Sequence, residues 1–301
     1  MTKHVLLHDG YSPSSKRAYT ADWKVFTHWC AKAKSTPLPA TPEIVAAYVD
    51  YDGERRKPAT IARRLAAIAS IHRDHDQADP TKSREVKIAL KRLYRRKGKR
   101  QSQALAITHD VRMEMLTGSP KTIRGLRDRA LLSVAYDTGC RRAELVSILI
   151  EDIERFDDGS GTILLRKTKT DQEGAGHVRY IAPDTVRTID EWLDRARIED
   201  GYLFRAVAGN RIRGSMPDAA VSKAFKRLGR GAMIDQATCR QYSGHSTRVG
   251  MAQDMAAAGI DLVAIMQAGG WKSPVMVARY IERLNAKNGA SAKLAALNGR
   301  T

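Results

Sequence analysis

Seven of the ten residues from Lys91 to Arg100 are basic, and no protein interior can accept a run of that charge. Such a block is either a solvated face or a tether. Here the composition shift marks a linker, and 301 residues are enough for a domain on each side of it, each burying its own core. The pattern predicts a mainly α chain. Residues 1–13 lack periodicity and read as a mobile arm, 14–97 as an all-α domain, 98–107 as a basic linker, 108–284 as an α+β domain with a small antiparallel sheet, and 285–301 as a tail.

In the N-terminal half, Tyr19, Trp23, Phe26 and Cys30 recur at spacings of three and four, which is the apolar stripe of a helix. Thr41-Pro42 opens a second helix carrying Ile44, Val45 and Tyr48, and Asp52-Gly53 ends it. A third, from about Thr60 to His75, turns Ile61, Leu65 and Ile68 inward and is expected to point Arg63 and Arg64 outward. A fourth opens near Ser83 with Val86, Leu90 and Leu93. His72 and His75 lie three apart without a third ligand, so they read as exposed polar residues rather than a metal site.

Beyond the linker, Thr108 is placed to cap a helix holding Val111, Met115 and Leu116, and Ile123 to Asp137 follows with Leu126, Ala130, Leu131 and Val134 as its buried stripe. Arg141 and Glu144 come next, three apart on the first turn of a new helix and therefore on one face. After Ile153 the period becomes that of strands: Ile163 to Leu165 is one, and Val178, Tyr180 and Ile181 form another across a hairpin that contains Lys167 and Lys169. Asp184 to Arg197 is amphipathic, Arg211 to Arg213 reads as a basic loop, and Pro217-Asp218 opens a helix bearing Val221, Phe225 and Leu228 with Lys223 off the stripe.

The densest cluster of reactive side chains is near the C-terminus. His245 and Arg248 share the first turn of a helix that Gly259 ends, and a helix N-terminus carrying an imidazole and a guanidinium is an anion site. Gly269-Gly270 then delivers Trp271 at a tight corner, and Ser273-Pro274 starts a helix with Tyr280 in its middle.

Whole-chain composition points the same way. Lys and Arg outnumber Asp and Glu by 52 to 33, a net charge of +19, which predicts a polyanionic partner. Three scattered cysteines, Cys30, Cys140 and Cys239, argue for a reducing compartment and against zinc. No run approaches the ~18 apolar residues of a membrane span, and the first residues lack the apolar core of a signal peptide, so a cytoplasmic location is expected.

The combination Thr-Gly-x-Arg-x-x-Glu-Leu around Arg141, His-x-x-Arg at His245, Gly-Gly-Trp at Trp271 and a tyrosine nine residues later resembles the tyrosine recombinases. The resemblance implies a site-specific enzyme that breaks and rejoins duplex DNA. It implies Tyr280 as nucleophile, Arg141 and Arg248 clamping the phosphate, and Lys169 protonating the leaving oxygen. His245 then acts as base and hydrogen-bonding group, Trp271 as indole donor, and Glu144 as orienting carboxylate. It implies no cofactor and no metal, and a homotetramer on two double-stranded DNA sites. DNA contacts are expected from Arg63, Arg64, Arg100 and Lys167, with Lys223 as a base reader in the major groove. A type IB topoisomerase, a telomere resolvase and a catalytically silent DNA-binding protein remain as alternatives.

Overall fold

The computed structural model describes residues 10–100, 102–167 and 176–300. It separates into two compact units that divide between Ser102 and Gln103. In the first unit, α1 (Pro13–Lys32), α2 (Pro42–Arg55), α3 (Pro58–Asp74) and α4 (Arg84–Lys97) form an all-helical body. Its capping chemistry is local. Ser12, Thr41 and Ser83 each accept a backbone N–H from the first turn, and proline stands at the start of the first three helices, where its missing donor costs nothing. Trp23, Phe26, Val45, Tyr48, Ile61, Ile68, Val86 and Leu93 close the core.

Five cations of the basic block lie on α4, where Lys97 donates to the carbonyls of Glu54 (2.6 Å) and Arg56 (3.1 Å) and Arg92 pairs with Asp50. Two expectations change here. Arg64 does not point outward. It is buried, donating to Asp52 and to the Tyr48 hydroxyl (3.1 Å), with Asp22 at 3.6 Å. A helix face that meets two inward-facing carboxylates needs a cation between them, and Arg64 fills that place while Arg63 reaches Asp22 from the rim (2.8 Å). His72 is likewise buried, not exposed. Its Nδ1 bonds the carbonyl of Ile68 (2.8 Å), and its Nε2 accepts the amide of Ala40 (2.9 Å).

The second unit is built around α6 (Ile123–Thr138), which is buried along most of its length. Before it comes α5 (His109–Thr117), and after it the short α7 (Arg142–Val146). A three-stranded antiparallel sheet follows, β1 (Ile153–Arg155), β2 (Gly161–Leu165) and β3 (His177–Ile181), in the order β1-β2-β3. Next are α8 (Pro183–Ala196), the hairpin β4 (Arg205–Ala208) with β5 (Arg211–Ser215), and α9 (Ala219–Gly231). The chain closes with α10 (Gln236–Gln241), α11 (Ser246–Ala257), α12 (Leu262–Gly269), α13 (Pro274–Tyr280), α14 (Glu282–Asn288) and α15 (Ala290–Leu297). Residues 211–213, read above as a loop, are therefore a strand; Gly209 at positive φ and Asn210 make the tight turn.

On β3 the apolar residues Val178 and Tyr180 are exposed, whereas Arg179 pairs in register with the buried Ile163 and faces inward with Ile181. An ionisable residue holds the inner face because that face borders the site described below. No helix among the described residues is long and apolar enough to cross a membrane.

The buried ion pairs of the first unit carry a measurable expectation. Arg64→Ala leaves the buried Asp52 without its cation and Asp22 with only the rim Arg63, and should cost about 3–5 kcal/mol. Arg63→Ala, at the exposed rim, should cost ~0–1 kcal/mol. Urea unfolding of the full chain should order the two variants in that way.

Candidate active site

The site begins where α6 ends. Gly139 adopts a left-handed φ of 58°, and a Cβ there would lie 2.8 Å from the sulfur of Met251, so only glycine permits this close reversal. The reversal places Arg141 immediately before α7. One oxygen of Glu144 accepts the Arg141 backbone N–H (2.8 Å) and the other accepts Nη1 of its side chain (2.7 Å). Glu144 thus caps the helix and aims the guanidinium together. This is more than the weak surface ion pair that spacing alone suggests, because the carboxylate is buried.

Arg248, in the first turn of α11, is almost wholly buried at 3% exposure. Its Nη1 donates to the carbonyl of Gly139, and its Cζ sits 4.7 Å from the centre of the Trp271 ring. Burial, and then the neighbouring Arg141 cation, push its pKa below the ordinary arginine value, while Tyr280 and Glu144 act in the opposite direction. Those influences place Arg141, Glu144, Arg248 and Tyr280 in one electrostatic neighbourhood.

His245 stands at the N-cap of α11, exposed as a residue. The loop before it is pinned by side chains: Ser243 N–H donates to Ser246 Oγ (2.9 Å), His245 N–H to Ser243 Oγ (3.2 Å), and Gly244 N–H to Ser222 Oγ of α9 (3.0 Å). Gly244 has no room for a Cβ, since the Arg142 side chain packs against it. Desolvation first, then Arg248, Arg142 and Arg141, hold the imidazole below its ordinary 6.5. At neutral pH it is an uncharged acceptor among cations.

Trp271 follows Gly270, whose φ of 63° ends α12, and Gly269 leaves the space its indole fills. The indole is buried and packs edge-on against Tyr280, ring centres 5.9 Å apart. Its Nε1–H is buried and has no hydrogen-bond partner among the described residues. Tyr280 is the last residue of α13 and not its middle. Its carbonyl accepts from Gln253 Nε2 (3.0 Å), that of Arg279 accepts from Gln103, and a new helix starts at Glu282.

These elements bring Arg141, Glu144, His245, Arg248, Trp271 and Tyr280 to one surface of the second unit. Lys169 lies outside the described residues. Lys167 is exposed beyond β2, Lys223 is exposed on α9, and Arg63 and Arg100 belong to the first unit. One residue the sequence reading missed joins the cluster: Arg179, which lines the same small cavity as Arg141, Glu144, Arg248 and Gly270. Alternation along β3 was the available signal, since it puts Arg179 on the face opposite Val178 and Tyr180. Chemically, two fixed guanidiniums, a neutral imidazole and an indole donor with no partner among the described residues make a cradle for a tetrahedral oxyanion, with a phenol at its edge.

Residues 106–287 match the phage integrase family and residues 2–74 the N-terminal SAM-like domain of phage integrases. The chain belongs to the phage integrase family and is a tyrosine recombinase. It is 31% identical to the Cre recombinase of Escherichia phage P1, over 88% of this chain and 83% of that protein. It is 32% identical to an integrase/recombinase XerD homolog of Selenomonas ruminantium, over 89% and 81%. The fold of this recombinase is shared with the XerH recombinase in a post-cleavage complex with a palindromic difH substrate (TM-score 0.67, 17% identity, 90% of this chain and 78% of that one). It is shared also with a lambda integrase dimer on a COC′ core site (TM-score 0.61, 17% identity, 90% and 89%).

The depressed imidazole gives a direct check of the site's electrostatics. His245 should titrate with a midpoint below 6.5 in the free protein. Removing one positive neighbour by Arg142→Gln should raise that midpoint, read from the ring proton shifts by NMR. An unmoved midpoint would mean that the Arg142 charge does not reach the ring.

Proposed function

We propose that this recombinase cuts and rejoins duplex DNA at a specific inverted-repeat site, through a 3′-phosphotyrosyl intermediate and a Holliday junction. The observation that carries the reading is the convergence of Arg141 and His245 on Arg248, which lies beside Tyr280, with no acceptor for the buried Trp271 Nε1–H among the described residues.

In this reading the scissile phosphate occupies the cradle. Arg141, aimed by Glu144, and Arg248, held against Gly139, donate to the non-bridging oxygens, and Trp271 adds its indole N–H. Planar guanidiniums suit this task because each spans two oxygens, whereas an ammonium is a point charge. A free tyrosine is a poor nucleophile at neutral pH, so attack needs a group that takes the phenolic proton as the bond to phosphorus forms. His245, neutral among those cations, is the acceptor suited to that proton. The Tyr280 oxygen bonds to phosphorus, the bond to the 5′ oxygen breaks, and Lys169 supplies the proton that oxygen needs. One phosphoester replaces another, so rejoining draws on the energy held in the phosphotyrosyl bond.

The rest of the chain fits the same task. The excess of 52 basic over 33 acidic residues suits a polyanion. Arg63, Arg100, Lys167 and Lys223 are exposed cations proposed to meet the duplex, with Lys223 on α9 toward the base edges. Arg64 is withdrawn from that set, because its burial between Asp22 and Asp52 leaves it no access. A homotetramer on two sites is proposed from the tail. α15 buries none of its own residues and exposes Leu294 (56%) and Leu297 (84%), so it lacks a groove. Cyclic donation of that helix from each protomer to the next closes a ring.

Two experiments test the reading. Tyr280→Phe removes only the phenolic oxygen, so DNA binding should persist while SDS-resistant complexes on a nicked site vanish. A Phe variant that still forms them would remove Tyr280 from the mechanism, and site-independent relaxation by the unmodified protein would favour a topoisomerase. Deleting residues after Asn288 should leave binding to one half-site intact, weaken cooperative filling of the second, and abolish recombination in a gel-shift and product assay. Normal cooperativity and yield would refute donation of the tail.

A further inference from the structure

The mechanism above leaves one guanidinium of the site without a task. Arg179 reaches inward from β3, and its Nη1 donates to the carbonyl of Gln267 at 2.7 Å. That carbonyl is one of the orphan acceptors at the C-terminal end of α12, and it also receives the Gly270 N–H at 3.2 Å. The other arm of the fork presses on Gly270 itself: a Cβ built there would run into Nη2. A cation at a helix C-terminus interacts favourably with its partial negative charge, and the fork geometry fixes direction as well as distance.

What this end of α12 controls is specific. Gly270 takes a left-handed turn, the next residue is Trp271, and the Trp271 ring is the surface on which Arg248 rests and against which Tyr280 packs. We propose that Arg179 is a positioning residue for strand cleavage: it locks the α12 terminus and the Gly270 turn, and so sets the Trp271 indole against Arg248 and Tyr280. It need not touch the phosphate. Its guanidinium is engaged with the protein's own backbone, and its pKa is pushed below the usual arginine value mainly by burial.

The proposal rests on the cleavage reading, and its test separates the two. Two full-length variants are needed: Arg179→Met keeps the length and removes the donors, and Arg179→Lys restores one donor for the Gln267 carbonyl. With a nicked duplex selected from an inverted-repeat library, single-turnover cleavage is measured at saturating protein. Arg179→Met should lower the rate constant roughly 10–100-fold, the scale of small misplacements of reacting groups. DNA affinity and its salt dependence should be unchanged, and Arg179→Lys should recover part of the rate. A purely structural role predicts fewer active molecules at an unchanged rate constant, and that result would overturn the proposal. So would weaker binding with a reduced salt slope, which marks a phosphate contact. An arm that needs no catalysis is the 15N–1H resonance of the Trp271 indole in the free protein. It should move in Arg179→Met and shift back toward its original position in Arg179→Lys. If it does not move, the proposal fails whatever the unmodified protein does to DNA; if it moves while the unmodified protein traps no DNA, the positioning is upheld and the cleavage reading is what falls.

Discussion

A guanidinium buried beneath an indole is the constraint on which the second unit depends. Placing Arg248 in an interior costs several kcal/mol unless the charge finds partners. It finds them on separate elements: the carbonyl of Gly139 at the end of α6, the face of Trp271 after α12, and the charge of Glu144 from α7. None of these is close to Arg248 along the chain, so α6, α7 and α12 must all be in place before the charge is compensated. The glycines follow from this geometry. Gly139 must turn back tightly enough to offer its carbonyl past Met251, and Gly269 must leave room for the indole that covers the guanidinium.

The same arrangement concentrates positive charge in the site. Arg141 lowers the pKa of Arg248, and Arg248, Arg142 and Arg141 lower that of His245, so the cations repel one another's protons. Glu144 offsets only part of this, because one carboxylate is shared between a helix cap and a guanidinium. On the cleavage reading proposed above, a phosphodiester in the cradle would supply the missing negative charge, and it would ease protonation of His245, as a proton acceptor during attack requires.

How much of this was legible in the sequence depends on how local the cause was. Arg141 with Glu144, His245 with Arg248, and the Gly-Gly-Trp corner were readable because each is set by spacing within one helical turn or one tight turn. The buried roles of Arg64 and His72 were not. Arg64 is turned inward by Asp22 on α1 and Asp52 on α2, and His72 by the amide of Ala40 thirty-two residues away, and helical spacing carries no record of such partners. Arg179 was missed for a related reason. Val178 and Tyr180 look like the inner face of β3 because they are apolar, but the inner face belongs to the residue that the α12 carbonyl recruits. The β4–β5 hairpin, by contrast, carried a local signal in Gly209-Asn210, and the basic residues around it obscured the strand.

The break after Tyr280 has a consequence for how nucleophile and tail coexist. Were α13 and α14 one continuous helix, any movement of the C-terminal segment would act as a lever on the phenol. Instead the carbonyls of Arg279 and Tyr280 are taken by the side chains of Gln103 and Gln253, which anchor the end of α13 to α11 and to the segment before α5. Val277 and Ile281 hold the same turn in the cluster around Trp271. The anchors lie within the second unit and upstream of residue 282, so the position of Tyr280 is fixed without any contribution from α15. The two exposed leucines of α15 then sit beyond a joint whose near side is already secured, and a helix placed there is free to seek a groove without moving the tyrosine that precedes it.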